Sequence, residues 1–333
     1  MCDAKSIDIH THILPEKMPK WSEKFGYGGF VSLDHHKTGC ARMMIDDVFF
    51  REIEDNCWDG GARIKQMDGW NCDLQVLSTV PVMFNYHIDS NHSYQIQQFL
   101  NDHIASVVQS YPNRFVALGS LPMQNPELAV KELERCMSQL GMAGIQIGTN
   151  INDENLSDPK FFPIWETAER LNACIFVHPW NMMGQSNMKK YWLPWLVGMP
   201  AESSRAICSL IFGGVFQRFP KLRFAFAHGG GSYPFTIGRV QHGFDVRPDL
   251  CAIDNIISPE DYCGHFWVDS LLHSPDALQF NLKLFGNDKT VVGTDYPFPL
   301  GEDIPGELVR SLKLEKEIED KLMYKNAINW LWG

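Results

Sequence analysis

The chain has 333 residues, 44% hydrophobic and 21% charged, with a formal net charge of −11 at pH 7. This is the composition of a globular chain with a sizeable core, and the length suits one barrel-sized domain with insertions. The acidic balance repels nucleic acid and anionic membrane surfaces, so neither is an expected partner.

The nine cysteines show no CxxC or zinc-ribbon spacing, which reads as reduced thiols in a cytoplasmic protein. The longest apolar stretch, 206–216, is far short of the ~20 residues that a membrane span requires. The first strand pattern begins at residue 6, so no targeting peptide is expected.

In chain order, short apolar, β-branched runs fall at 6–12, 73–80, 115–121, 144–149, 173–178, 222–228, 265–270 and 290–295. Helical patterns separate them. Over 93–111, Ile96, Phe99, Leu100, Ile104, Val107 and Val108 make one stripe of 3.6-residue period. Asn125-Pro126 reads as N-cap and first helical residue, with Gly141 as the stop; Ser274-Pro275 and Gly286 repeat that punctuation. Eight strands alternating with helices predict right-handed parallel crossovers and closure into a (β/α)₈ TIM barrel. An open doubly wound sheet would usually carry a glycine-rich phosphate loop after its first strand; here that strand ends His-Thr-His. The alternation is broken at 13–58, too long for an ordinary connection and read as a small insertion within the single domain 1–333.

Barrel active sites lie at the C-terminal ends of the strands. The predicted ends carry His10 and His12, then His178, His228 and Asp295. Alternate residues of a strand face one side, so His10 and His12 point together. Imidazoles plus a carboxylate suit a borderline ion such as Zn²⁺, and His10, His12, His178 and Asp295 are the expected ligands. Taken singly, His178 could be a core histidine, Asp295 a turn cap, and His228 either a further ligand or a proton carrier.

This His-x-His, His178, His228 and Asp295 set resembles the signature of the amidohydrolase superfamily. Two-metal members carry a bridging lysine or glutamate at the end of strand four; Gly-Ile-Gln-Ile-Gly-Thr-Asn at 144–150 has neither, which implies one ion per subunit. Further stretches are similar to a decarboxylase family within that superfamily: Phe25-Gly-Tyr-Gly-Gly, Asn56-Cys-Trp-Asp, Leu77-Ser-Thr-Val-Pro-Val-Met-Phe, 190–202, Ala227-His-Gly-Gly-Gly and 293–302.

The resemblance implies non-oxidative, zinc-dependent loss of CO₂ from a conjugated, carboxylated semialdehyde, without an organic cofactor. It gives His228 the role of general acid or base beside a metal-acidified water. It assigns Arg51 to a substrate carboxylate, Trp192 and Phe298 to the pocket wall, and Arg239 to the neighbouring site of a homodimer. From the residues alone, Arg51 reads as a surface ion-pair partner of Glu52, Glu54 or Asp55, Arg239 as a solvated helix residue, and Trp192 with Trp195 as a packing pair. A hydroxybenzoate decarboxylase, an amide or lactone hydrolase and a non-catalytic barrel are the alternative functions.

Overall fold

In the computed structural model, which describes residues 4–333, each of the eight apolar runs coincides with a parallel strand of one sheet. The strands in chain order are β1 (Ile7–Ile13), β2 (Val31–Lys37), β3 (Cys40–Ile45), β4 (Val48–Glu54), β5 (Leu74–Thr79), β6 (Phe115–Ser120), β7 (Gly144–Gly148), β8 (Asn150–Ile151), β9 (Glu154–Asn155), β10 (Cys174–His178), β11 (Arg223–Phe226), β12 (Trp267–Asp269) and β13 (Thr290–Val291). The large sheet runs β1-β5-β6-β7-β10-β11-β12-β13.

The segment after β13 returns to β1 and closes the barrel. Ile9 N donates to Val292 O at 2.9 Å, Asp295 N to His10 O at 2.8 Å, and His12 N to Tyr296 O at 2.8 Å. Every barrel strand is buried along its length. Helices cover the outer face and packed side chains fill the inner one, so strand residues on both faces leave water.

The connecting helices start where their caps allow. Asn125 Oδ1 accepts from Leu128 N at 3.2 Å before the helix Pro126–Ser138. Ser274 Oγ accepts from Ala277 N at 3.4 Å before Pro275–Phe285. Each cap satisfies a backbone donor that the first helical turn leaves free. The stripe read over 93–111 belongs to the helix Ser90–Ser110, which begins one turn earlier under an Asp89 cap.

The floor of the barrel interior is aromatic. The last helix, Asn326–Trp332, tucks Trp330 under the strands, where its Nε1 donates to Arg223 O at 3.1 Å. Trp330 meets Phe176 edge-on at 6.1 Å between ring centroids, and Phe176 meets His10 at 4.8 Å. A fully buried apolar side chain of this kind contributes roughly 1.5–3 kcal/mol.

The 13–58 segment folds as a three-stranded antiparallel sheet, β2-β3-β4. Its Phe30, Val31, Ala41, Met43 and Ile53 pack with Val80, Met83, Ile96 and Leu100 of the barrel side. The β3–β4 register slips between Met43, which faces Arg51, and Met44, which faces Phe49. Phe50 is the extra residue. Such a bulge re-aims neighbouring side chains, and here Phe50 and Arg51, consecutive in a strand, both line one cleft.

Candidate metal centre and substrate cleft

At the C-terminal mouth of the barrel, His10 and His12 leave β1 on its inner face, His178 ends β10, and Asp295 follows β13. His10, His12 and His178 gather on one oxygen of Asp295. Their Nε2 atoms lie 3.3, 2.9 and 3.8 Å from Oδ1. His228 faces the other oxygen, with Nε2 at 3.8 Å from Oδ2. One ligand atom from each of His10, His178, His228 and Asp295 falls within 4.8 Å of the others.

The Nδ1 side of each inner histidine is occupied. His10 Nδ1 donates to Asp269 Oδ2 at 2.7 Å, His12 Nδ1 to Thr79 O at 3.1 Å, and His178 Nδ1 to Pro179 O at 3.0 Å. With the proton held on Nδ1, Nε2 presents a lone pair to the centre, and all three Nε2 atoms are buried without a hydrogen-bond partner. Three oriented, orphaned imidazole nitrogens around one carboxylate fit a divalent ion, and outer partners of this kind are what orient metal-binding histidines.

Electrostatics favour a cation there. Burial alone would raise the pKa of Asp295, but the facing imidazoles, His10 foremost, hold its carboxyl well below the ordinary range. Burial works against charge on His10, yet Asp295 and Asp269 on either side push it up to about 10, so without an ion the centre draws a proton onto His10, which a bound cation would replace. Burial drives His178 well below its usual value, toward the neutral form that ligates.

His228 differs from the other three. Its Nδ1 is buried without a partner, and its side chain is 15% exposed against 0%, 0% and 4% for His10, His12 and His178. The strand expected to reach it stops at Phe226; His228 opens a tight turn at φ 57°, followed by Gly229, Gly230 and Gly231, all at positive φ. A Cβ on Gly229 would collide with Leu272, so the turn requires glycine both for conformation and for space. Asp295 is likewise left-handed, at φ 60°. Non-glycine residues in this region cost about 1–3 kcal/mol each and persist where the surroundings over-determine them.

The cleft beside the centre is lined by Phe50, Arg51, Val80, Pro81, Val82, His178, Trp180, Trp192, Trp195, Met199, Asp295, Phe298, Pro299 and Leu300. Arg51 departs from the ion-pair reading: Glu52 pairs with Lys37 at 3.4 Å, while the Arg51 guanidinium sits 4.9 Å from the Phe50 ring centroid and 4.6 Å from that of Phe298. Among the described residues no carboxylate lies within ion-pair distance of it. Burial lowers its pKa, partly offset by Asp295. Phe298 also reaches His12, at 5.7 Å between centroids. Trp192 does pair with Trp195, at 5.9 Å, and both face the cleft.

Arg239 is not brought to this chain's own centre. It lies exposed on the helix Tyr233–Val246, away from the lining residues. Phe50, Trp195 and Asp269 were missed as site residues. Asp269 had a usable signal, since it stands at the C-terminal end of a barrel strand; the β4 bulge that turns Phe50 inward left none.

The amidohydrolase family model matches residues 7–331. The chain is 57% identical over 326 residues to the 2-amino-3-carboxymuconate-6-semialdehyde decarboxylase of Dictyostelium discoideum, covering 98% of this chain and 91% of that one. It is 39% identical to the enzyme of the same name from Caenorhabditis elegans, covering 98% and 94%. Among solved structures, the dihydroxybenzoic acid decarboxylase from Polaromonas, crystallised with manganese and 2-nitroresorcinol, superposes with a TM-score of 0.79 at 21% identity over 98% of this chain and 97% of that one. The chain therefore belongs to the amidohydrolase family and, within it, to the 2-amino-3-carboxymuconate-6-semialdehyde decarboxylases, a group of metal-dependent carboxy-lyases.

Proposed function

We propose that the protein catalyses the non-oxidative decarboxylation of 2-amino-3-carboxymuconate 6-semialdehyde to 2-aminomuconate 6-semialdehyde and CO₂. This is the kynurenine branch of tryptophan catabolism, where the reaction diverts material from quinolinate. The observation that carries the reading is Arg51: a largely buried guanidinium, clamped by Phe50 and Phe298 beside the histidine centre, without a carboxylate of its own. A charge held this way is matched by a substrate carboxylate, which a guanidinium fork receives through two parallel hydrogen bonds.

The residues divide the work. His10, His12, His178 and Asp295 hold the ion, which we take to be Zn²⁺ from the three-imidazole, one-carboxylate donor set. When bound, such an ion supplies Lewis acidity and acidifies a coordinated water toward pKa ~7. Arg51 fixes one carboxylate, so that the carboxyl to be lost lies toward His228. Trp192, Trp195, Val80 and Phe298 wall the cleft with apolar surface. The breaking C–C bond leaves its electron pair on the ring-opened chain, and that carbon must gain a proton. His228, whose ring is free of partners on Nδ1, is placed to exchange the proton. No oxidant enters the balance.

Arg239 completes the site only from a second copy. We assign it to the neighbouring cleft of a homodimer in the cytoplasm; no helix among the described residues is long and apolar enough to cross a membrane. Side-by-side turnover of the muconate semialdehyde and of 2,6-dihydroxybenzoate by zinc-loaded protein tests the substrate. A higher kcat/KM for the semialdehyde supports the proposal, and a preference for the aromatic acid overturns it.

A further inference from the structure

Resting on that reading of His10 as ligand and His228 as proton carrier, we infer that Asp269 is a positioning residue coupling the two: one carboxylate oxygen orients the metal-binding histidine, and the other anchors the turn that presents His228.

Asp269 ends β12 and is fully buried. Its Oδ2 accepts from His10 Nδ1 at 2.7 Å. Its Oδ1 accepts from Gly229 N at 2.8 Å and from Leu271 N at 3.2 Å. Gly229 directly follows His228, and its carbonyl accepts from the buried Asn281 Nδ2 at 2.9 Å. The residue after His228 is therefore held at both ends, its N–H by Asp269 and its C=O by Asn281. This matters because four successive residues, His228 to Gly231, have positive φ. The three glycines have little intrinsic preference and His228 is held in a disfavoured region, so the surrounding hydrogen bonds decide where the imidazole lies. The His10 and His228 rings are 5.3 Å apart, and a shift of the carboxylate moves the support of both together.

Every group facing Asp269 in these three bonds is a donor. Asparagine, nearly the same shape, fails at one side whichever way it turns. With its oxygen toward His10, its NH₂ opposes the N–H groups of Gly229 and Leu271. With its NH₂ toward His10, the imidazole must accept at Nδ1 and carry its proton on Nε2, where it blocks ligation.

The test is Asp269→Asn against the parent and Asn281→Leu, all with thermal melts. Zn²⁺ affinity is measured by competition with a chromophoric chelator, and kcat at metal saturation. Asp269→Asn is expected to weaken Zn²⁺ binding about 10- to 100-fold, the usual cost of losing a partner of a metal-binding histidine, and also to lower kcat at saturation. Asn281→Leu, which loosens only the turn, lowers kcat at parental affinity. Asp269→Glu, which keeps the charge, recovers part of both if the coupling is real and neither if Asp269 only fills space. Should Asp269→Asn fail to fold, the Asn281→Leu and Asp269→Glu results still decide: parental kcat in the first, or no advantage in the second over Asp269→Ala, overturns the inference. Parental affinity and kcat in a folded Asp269→Asn overturn the coupling alone. A parent that binds no divalent ion overturns the metal reading and the coupling with it.

Discussion

Replacing Arg51 by methionine removes the charge from the cleft and keeps an unbranched apolar stem between Phe50 and Phe298. Hydrogen bonds to a charged partner contribute about 1.5–3 kcal/mol. At about 1.36 kcal/mol per tenfold, the loss of the carboxylate fork corresponds to a drop in kcat/KM of roughly 10- to 150-fold. Stability should move the other way or not at all, because the arginine is a largely buried charge without an ion-pair partner among the described residues. Arg51→Lys restores charge but not the planar fork, and should recover only part of the loss. Initial rates on 2-amino-3-carboxymuconate 6-semialdehyde, paired with thermal melts, separate the effects. An Arg51→Met protein with kcat/KM within twofold of the parent, or one that loses activity only in proportion to lost folded protein, would refute the assignment.

The histidines should divide by role. His178→Ala is expected to lose bound metal, whereas His228→Ala keeps it and slows by about 10²–10⁴, the usual contribution of a positioned acid or base; equal metal loss measured by elemental analysis would erase the distinction. Glu302 predicts a pH effect on stability. Both its carboxylate oxygens are buried without partners, and burial, helped by Asp269 and Asp8, raises its pKa from 4.5 to about 8. The folded state then keeps a proton that the unfolded chain releases above 4.5. The contribution is present in acid, declines between about 4.5 and 8, and is level above. In denaturant melts across that window, Glu302→Gln should flatten the decline, and an unchanged slope would exclude Glu302 as its source. If Arg239 acts across a dimer, activity per chain falls as the protein is diluted through dissociation; a fully active monomer in a sedimentation-matched assay would rule that out.

The barrel was legible because its cues are local. Short apolar runs, helix caps at Asn125 and Ser274, and a strand carrying His10-Thr11-His12 near its end each depend on a few adjacent residues. The same holds for the convergence of His10, His12, His178 and Asp295, since strand ends meet once the barrel closes. What escaped is where local pattern stops deciding. The 222–228 run looks uniform, yet the strand ends at Phe226 and His228 turns left-handed, foreshadowed only by the glycines after it. Likewise, β13 pairs only at Thr290–Val291, and 292–295 meets β1 by separate bonds that period alone cannot locate. Arg51 sits among acids in sequence, but Glu52 turns to Lys37 while the bulge at Phe50 carries the arginine inward. Register slips of this kind depend on the facing strand.

The most direct measurement is an anaerobic time course on metal-loaded protein with freshly generated 2-amino-3-carboxymuconate 6-semialdehyde. Substrate absorbance and released CO₂ are followed together, beside a sample stripped by chelator and one restored with Zn²⁺. A metal-dependent, non-oxidative decarboxylase releases one CO₂ per substrate lost, needs no oxygen, falls silent after chelation and recovers with zinc. Turnover that survives complete removal of the metal, or substrate loss without CO₂, would contradict it.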